Sequence, residues 1–341
     1  MSDFISECEK TISTVQNLLN DKDNKQDWVS RYEEYAGKID SNLETIRINK
    51  RRFREWAPLY LYMNVSEAKG RLTFGLRYLG QDVAKLKVGK DKITLSTNGY
   101  ENSNSDYFGC KIRLADCEWR SDDVAKFRSQ FINPPKNENG TAKLNDEHRI
   151  ESLLLTEFSK KKGDNKILCN IQPVKIAGIA RFQMPTPLSA SNMEKLIYSG
   201  RSGGGIDMLT RVGTGGSVKL CILELKDTNN AREPAAKAIQ QGLAYATFIR
   251  ELLRSKSGEA WWKLFGFTRK HPVKLKLYVA CVMPSLANND TTFADQVVKV
   301  DDDSIYFHYI YFKEFENIIT FVETSIKECK AKNSLDLSAS S

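Results

Sequence analysis

The sequence of 341 residues has no uninterrupted run of about 18 apolar residues, the length needed for a helix to cross a bilayer. Its first ten residues, MSDFISECEK, contain acidic side chains and no apolar core, so no secretory signal is predicted. It has only three histidines, without metal-ligand spacing. The seven cysteines include no CxxC pair, which argues against a disulfide scaffold or a zinc ribbon and favours a reducing cytosol. We therefore expect a cytoplasmic protein with no membrane partner.

The composition of the chain is typical of a folded protein with two domains. Hydrophobic residues make up 41% and charged residues 28%, close to globular averages. The net charge of +8 has the sign expected of a nucleic-acid binder, although an ordinary soluble protein can carry it too. The polar segment NPPKNENGTAK, residues 133–143, is the best linker candidate. We predict one domain over residues 1–132, a second over 144–335 and a flexible tail over 336–341.

The N-terminal domain is predicted to combine helices with a β-rich body. Residues 1–57 have helical periodicity, with helices over FISECEKTISTVQNLLN, Asp27–Ala36 and Ser41–Trp56. Residues 58–132 contain short β-rich segments separated by Gly, Asn and Asp, which predict an antiparallel sheet or small barrel. A basic cluster in the third helix fits either a solvated face or contact with a phosphate backbone; it comprises Arg47, Lys50, Arg51, Arg52 and Arg54. We expect this domain to bind the substrate or a partner.

The second domain is predicted to be α/β, with a central mixed sheet flanked by helices. Its predicted elements are a helix over Asn145–Lys161, a strand over Ile167–Ile176, a less regular stretch over 177–204, strands over Ile206–Val212 and Val218–Leu225 joined by a turn at Gly213–Gly216, a helix over Glu233–Arg254, strands over Lys274–Met283 and Ser304–Phe312, and a closing helix over Phe315–Lys330. The aromatic pair Trp261–Trp262, next to several cations, is predicted to be core or interface rather than a base-stacking surface.

Two acids and a lysine stand where two neighbouring strands meet. Sixteen residues separate Asp207 from Glu224, and Lys226 follows two residues later. Because strand side chains alternate, Glu224 and Lys226 share a face while Leu225 turns into the core, and the hairpin can bring Asp207 to the same face. Mg²⁺ prefers such oxygen ligands, lowers the pKa of a bound water and polarises a phosphoryl group. Lys226 can offset charge that develops on the phosphate. This pattern predicts hydrolysis of phosphodiester bonds.

The spacing D-x16-E-L-K, after a helix and a strand and before a helix, resembles the PD-(D/E)xK nuclease superfamily over roughly residues 145–285. The resemblance implies a restriction-endonuclease-like αβββαβ core. It assigns Asp207, Glu224 and the main-chain carbonyl of Leu225 to a Mg²⁺ site at which Mn²⁺ can substitute. It gives Lys226 the role of the catalytic lysine.

The superfamily often adds a glutamate from the first helix of this core. Glu151 is the preferred residue, because it precedes three leucines one turn from the helix start. Glu147 shares a helix face with Glu151, and Glu157 lies beyond the apolar run, so both stay open as alternatives. Ile206 stands where many members have a proline, a departure that also occurs within the superfamily.

Gln241 and Tyr245 lie four residues apart on the helix after the ELK strand, so they share a face. The pair resembles the Q-x3-Y element of RecB-type and lambda-exonuclease-like members, where it helps to hold the lysine and the phosphate end of the substrate. The alternative places Gln241 in solvent and Tyr245 in the core. The resemblance implies a metal-dependent nuclease, with a DNA endonuclease of restriction, defence or repair favoured and a homodimer left open. The competing interpretation is an inactive nucleic-acid-binding or assembly module on the same fold.

Overall fold

The chain has a mixed α/β fold in a computed structural model that describes most of the sequence. The described residues are 2–48, 59–63, 72–78, 81–97, 108–132, 146–160, 168, 170–176, 180–190, 195–227, 233–285, 291–294, 296–315 and 318–329. Within these ranges there are seven helices, two seven-stranded sheets and a small two-stranded ladder. None of the helices in these ranges is long and apolar enough to span a bilayer.

The elements are numbered in chain order. The helices are α1 (Ser2–Asn20), α2 (Lys22–Ser41), α3 (Leu43–Ile48), α4 (Asp122–Ile132), α5 (Asp146–Ser159), α6 (Ala235–Arg254) and α7 (Gly258–Leu264). The strands are β1 (Tyr60–Met63), β2 (Leu72–Tyr78), β3 (Gln81–Val88), β4 (Ile93–Ser96), β5 (Cys117–Glu118), β6 (Ile171–Pro173), β7 (Lys175–Ile176), β8 (Ala180–Gln183), β9 (Leu188–Ser189), β10 (Ile197–Tyr198), β11 (Met208–Val212), β12 (Lys219–Leu225), β13 (Lys276–Pro284), β14 (Val297–Val300), β15 (Asp303–Phe315) and β16 (Ile318–Thr324).

The first large sheet has the strand order β5-β4-β3-β2-β1-β8-β7. Strands β1 to β5 pair antiparallel, as the sequence predicts, and β1 also pairs in parallel with β8, from beyond residue 143. The prediction of β structure up to residue 132 is wrong for α4. Val124, Phe127 and Phe131 there are buried at helical spacing, so the segment forms an amphipathic helix.

The second large sheet has the order β14-β15-β13-β12-β11-β6, with β16 beside β15. Strands β12, β13 and β15 run parallel, and the other pairs are antiparallel, so the predicted mixed sheet is confirmed. Leu220 and Ile222 of β12 belong to the core shared with α6. Leu223 and Leu225 belong to the core shared with α5. The alternation therefore buries both faces of β12 between helices.

The prediction of a closing helix over Phe315–Lys330 is wrong. Strand β15 extends to Phe315, and β16 returns antiparallel beside it. Burial alternates in β16, with Ile319 and Phe321 buried and Ile318 and Val322 exposed. A run of β-branched and aromatic residues with period two favours a half-buried strand over a helix.

Smaller differences concern element ends and short strands. Helix α2 begins at Lys22 rather than Asp27, because the Asp21 carboxylate accepts the N–H groups of Asp23 and Asn24 and caps the helix. The stretch over 177–204 contains β8, β9 and β10, which are only two to four residues long, and β14 was also not predicted. Of the basic cluster in the third helix, only Arg47 lies in the described residues. The linker 133–143 and the tail 336–341 lie outside them.

The first two helices pack across α6. The rings of Trp28 and Tyr32 meet Phe248 edge-on at centroid distances of 5.9 and 5.1 Å, and Tyr32 lies 6.0 Å from Trp261. Trp261 and Trp262 are buried, so their prediction as core residues is confirmed. The boundary between residues 132 and 144 stays a prediction, but the regions on either side share one sheet and one core.

Candidate active site

Glu224 lies at the end of β12, with its side chain against α6. The residue is only 1% exposed. A Cβ at Gly242 of α6 would lie 3.5 Å from the Glu224 Cβ and 2.8 Å from a Val279 methyl group, so α6 approaches the sheet closely at this point because residue 242 is glycine. The helix therefore encloses this carboxylate within the fold.

Lys226 is held among oxygen acceptors on the same face. Its Nζ lies 3.2 Å from Glu224 Oε1, 3.1 Å from Gln241 Oε1 and 3.7 Å from Glu233 Oε2. The predicted common face of Glu224 and Lys226 is thus confirmed, and Leu225 is buried on the opposite face. Burial lowers the pKa of Lys226, but Glu224, Asp207 and other carboxylates outweigh it and raise the pKa above its ordinary value. Lys226 is therefore a fixed ammonium.

Asp207, directly before β11, reaches the end of β12 that carries Glu224. Its Oδ2 accepts the main-chain N–H of Leu225 at 2.8 Å, as expected when the hairpin pairs Met208 with Leu223. Burial, followed by the nearby Glu151 carboxylate, raises the pKa of Asp207 to about 6. Burial and Asp207 also raise the pKa of Glu224 well above its ordinary value. The carboxylates of Asp207 and Glu224 therefore repel each other in a buried site.

Helix α5 brings two glutamates to this cluster. Glu151 is buried and its Oε2 lies 3.1 Å from His148 Nδ1. Burial raises the pKa of Glu151, and burial followed by Asp207 raises that of Glu147 to about 7. Glu157 instead pairs with Lys160 toward the other end of the helix. The structure thus brings Glu151 and Glu147 to the acids but not Glu157.

Gln241 and Tyr245 form a connected pair beside Lys226. The side-chain oxygen of Gln241 accepts a hydrogen bond from the Lys226 ammonium. The Tyr245 hydroxyl forms hydrogen bonds with the Gln241 side chain and with the main chain of Ala190. Tyr245 is buried, and its hydroxyl lies 2.7 Å from where a Cβ at Gly204 would stand. Tyr245 is therefore buried, as the alternative interpretation expects, and it also contacts Gln241. The role of the pair in a nuclease site stays a prediction.

Tyr62 and Arg77, from the N-terminal sheet, border the site and were not found by sequence reasoning. The Arg77 guanidinium carbon lies 3.5 Å from the Tyr62 ring centre. The Arg77 charge lowers the pKa of Glu151, although burial dominates the net upward shift. No local pattern marks these residues, because the β1–β8 pairing that brings them here joins distant parts of the chain. His148 was also missed, although its three-residue spacing from Glu151 on a helix was a usable signal.

The donor set around Glu224 fits a hard divalent cation. Within the described ranges, no three His, Cys, Asp or Glu side chains are grouped closely enough to hold a metal ion by themselves. Glu224 Oε2, however, is buried and has no hydrogen-bond partner among the described residues. An unpartnered buried carboxylate oxygen is costly unless a cation or donor meets it. Carboxylate oxygens such as these are of the type that Mg²⁺ prefers, usually with waters in the remaining positions.

No family model matches this chain, and the comparisons with curated proteins and with solved structures found no match. The chemistry of the site therefore carries the functional conclusion.

The clustered acids make a pH-dependent prediction for stability without metal. Because the pKa of Asp207 is raised to about 6 from an ordinary value of 3.8, its contribution to folding stability is fully present below pH 3.8 and is lost progressively as the pH rises from 3.8 through 6. We expect the melting temperature of Asp207→Asn to rise relative to that of the wild type as the pH increases from about 4 through 6, and to stay higher up to pH 8, both in EDTA. Asp302→Asn, at an exposed turn, should follow the wild-type profile. A constant offset between Asp207→Asn and the wild type from pH 5 to 8 would contradict the repulsion.

Proposed function

We propose that this protein is a metal-dependent nuclease that hydrolyses phosphodiester bonds in nucleic acid, with DNA as the favoured substrate. The observation that carries the proposal is the Lys226 ammonium, held between Glu224 and Gln241 beside Asp207. The order α5-β6-β11-β12-α6-β13, with β7 to β10 inserted after β6, is compatible with the αβββαβ core of the superfamily that the sequence resembles.

A divalent metal would be held by Asp207, Glu224 and the main-chain carbonyl of Leu225, with Glu151 or Glu147 beside them. Bound there, Mg²⁺ would act as a Lewis acid toward a phosphoryl oxygen and would lower the pKa of a coordinated water. Its charge would also offset the repulsion among the carboxylates, whose pKa values are raised by burial and by each other.

The chain itself supplies positioning and charge. The Lys226 ammonium has three N–H donors, two of which point to Glu224 and Gln241. Glu233 Oε2 lies 3.7 Å from the ammonium, beyond hydrogen-bond distance. The third donor is therefore suited to a phosphate oxygen or to the attacking water, where a fixed positive charge stabilises developing negative charge. Gln241 fixes the lysine, and Tyr245 fixes Gln241 from the buried side of α6. The ammonium is therefore preorganised before substrate arrives.

The direct test is incubation of the purified full-length chain with plasmid, linear duplex and single-stranded DNA, and with RNA, in Mg²⁺, Mn²⁺ or EDTA. We expect cleavage of DNA that requires the metal and stops in EDTA. Binding without cleavage in either metal from pH 6 to 9 would overturn the nuclease proposal and favour the inactive binding module.

Gln241 and its neighbour Gln240 form a matched pair on α6. Gln241→Ala removes an acceptor from Lys226, so we expect turnover to fall by roughly a hundredfold with little change in Tm. Gln240→Ala should keep wild-type turnover, because that side chain bonds Glu7 of α1 instead. Tyr245→Phe should be milder than Gln241→Ala, since the ring still packs. Wild-type turnover in Gln241→Ala would remove the Q-x3-Y assignment while leaving the metal-dependent chemistry in place.

A further inference from the structure

A basic groove of about 650 Å³ lies at the far end of the β11–β12 hairpin from the acids. Six cationic residues line it: Arg211, Lys219, Arg269, Lys270, Lys274 and Lys276. None of the described lining residues is acidic. Lys219 and Glu224 are five positions apart along β12, which corresponds to about 17 Å. The groove is thus a separate surface from the candidate active site.

The fold builds this groove from two loops that are tied together. Arg211 donates from Nη1 to the Gly266 carbonyl at 2.7 Å, and Arg269 donates to the Gly216 carbonyl at 2.6 Å. Gly266 has a φ of +86°, a conformation that favours glycine. The parallel pairing of Leu220 with Leu277 places Lys219 beside Lys276 at the same sheet end. Hydrogen bonds to main-chain carbonyls and the pairing of β12 with β13 therefore bring the cationic side chains together.

The positive charge of the groove is poorly neutralised within the protein. Lys219 pairs with Glu328 at 2.6 Å, but the other five cations form no ion pair with any residue that the structure describes. Arg211 Nε is buried and has no partner there. Lys270, Lys274 and Lys276 are exposed. Clustered like charges of this kind create a positive potential that attracts polyanions.

The geometry points to a binding site for the phosphodiester backbone of nucleic acid, away from the point of cleavage. This inference deepens the proposed nuclease function and rests on it for the choice of polyanion. A nucleotide pocket would offer an aromatic face to a base, but the stacked rings of Trp262 and Phe267 in the groove are only 7% and 8% exposed. What the groove presents outward is cationic side chains, which bind phosphate without reading bases. The spacing of about 17 Å between Lys219 and Glu224 corresponds to roughly five base pairs of duplex.

The test compares two triple variants with equal loss of charge. The groove variant carries Lys270→Gln, Lys274→Gln and Lys276→Gln, and the control carries Lys90→Gln, Lys92→Gln and Lys299→Gln at exposed lysines elsewhere. Both are made in a Glu224→Gln background, and binding of a labelled 30-base-pair duplex is followed by fluorescence anisotropy in EDTA over a range of salt. We expect the slope of log K against log salt to fall by about 2–3 in the groove variant, with at least about tenfold weaker binding at low salt. The control should bind like its Glu224→Gln parent.

Three outcomes would overturn the groove assignment. The first is an unchanged salt slope of duplex binding in the groove variant, and the second is an equal loss of duplex affinity in the control. The third is tight binding of ATP or pyrophosphate to the groove, while the three substitutions leave duplex binding unaffected. The last outcome would make the groove a small polyphosphate pocket. Metal-dependent cleavage by the wild type together with an unchanged groove slope would reject the groove and keep the nuclease. A reduced salt slope in the groove variant, without metal-dependent cleavage by the wild type, would keep the groove as a binding site and reject the nuclease.

Discussion

Glu224→Gln is expected to reduce metal-dependent cleavage by roughly a thousandfold or more, while the protein in EDTA stays as stable as the wild type or becomes more stable. The amide keeps the shape of the side chain and an oxygen that can accept a hydrogen bond from Lys226. It removes the negative charge of a buried carboxylate whose second oxygen has no partner among the described residues. Removing that charge also relieves the repulsion with Asp207, which raises the pKa of Glu224 together with burial.

The measurement combines initial cleavage rates in Mg²⁺ and Mn²⁺ with thermal melts in EDTA. Glu157→Gln is the matched control, since it neutralises a buried glutamate of α5 that pairs with Lys160 away from the acids. It should keep wild-type cleavage. A Glu224→Gln variant that cleaves normally and melts several degrees lower would show that Glu224 is a structural residue.

The sequence was sufficient for the part of the site that depends on local geometry. Strand alternation placed Glu224 and Lys226 on one face, and the short hairpin placed Asp207 beside them. Helical spacing likewise placed Gln241 and Tyr245 in contact. In each case the residues are close in the chain or joined by one tight turn, so backbone geometry alone fixes their relation.

Contacts between distant segments could not be read in the same way. The sequence around Tyr62 and Arg77 does not predict that β1 pairs with β8, about 120 residues later. The apolar run of β16 suits either a helix or a strand until the edge of β15 is known to be free for it. That Glu157 lies away from the acids, whereas Glu147 and Glu151 lie near them, depends on how α5 packs against the sheet, which periodicity does not supply.

Deletion of residues 1–132 is expected to leave a chain that does not fold on its own, although the polar linker suggests an independent second domain. The deletion removes the β1 partner of β8 and the aromatic cover of α6 supplied by Trp28 and Tyr32. Each large buried side chain contributes roughly 1.5–3 kcal/mol. The deletion exposes the surface of α6 and the edge of β8 that these residues cover, and the roughly 5–15 kcal/mol that stabilises a typical protein leaves little margin for such a loss. Circular dichroism and amide NMR dispersion of the fragment would show the loss.

A single substitution tests the same dependence in the full-length chain. Trp28→Ala should destabilise it by about 3–5 kcal/mol, because the ring packs on Phe248 and its indole N–H donates to the Leu19 carbonyl at 2.9 Å. Ile48→Ala, at an exposed site on α3, should change stability by no more than about 0.5 kcal/mol. Hydrogen exchange in β13 should speed up in step with the Trp28→Ala loss if the N-terminal helices and the second sheet unfold together. Unchanged protection of β13 in Trp28→Ala, together with a deletion fragment that gives dispersed amide signals, would instead establish two independent domains. In that case the contacts between the N-terminal helices and α6 would be an interface between them rather than a shared core.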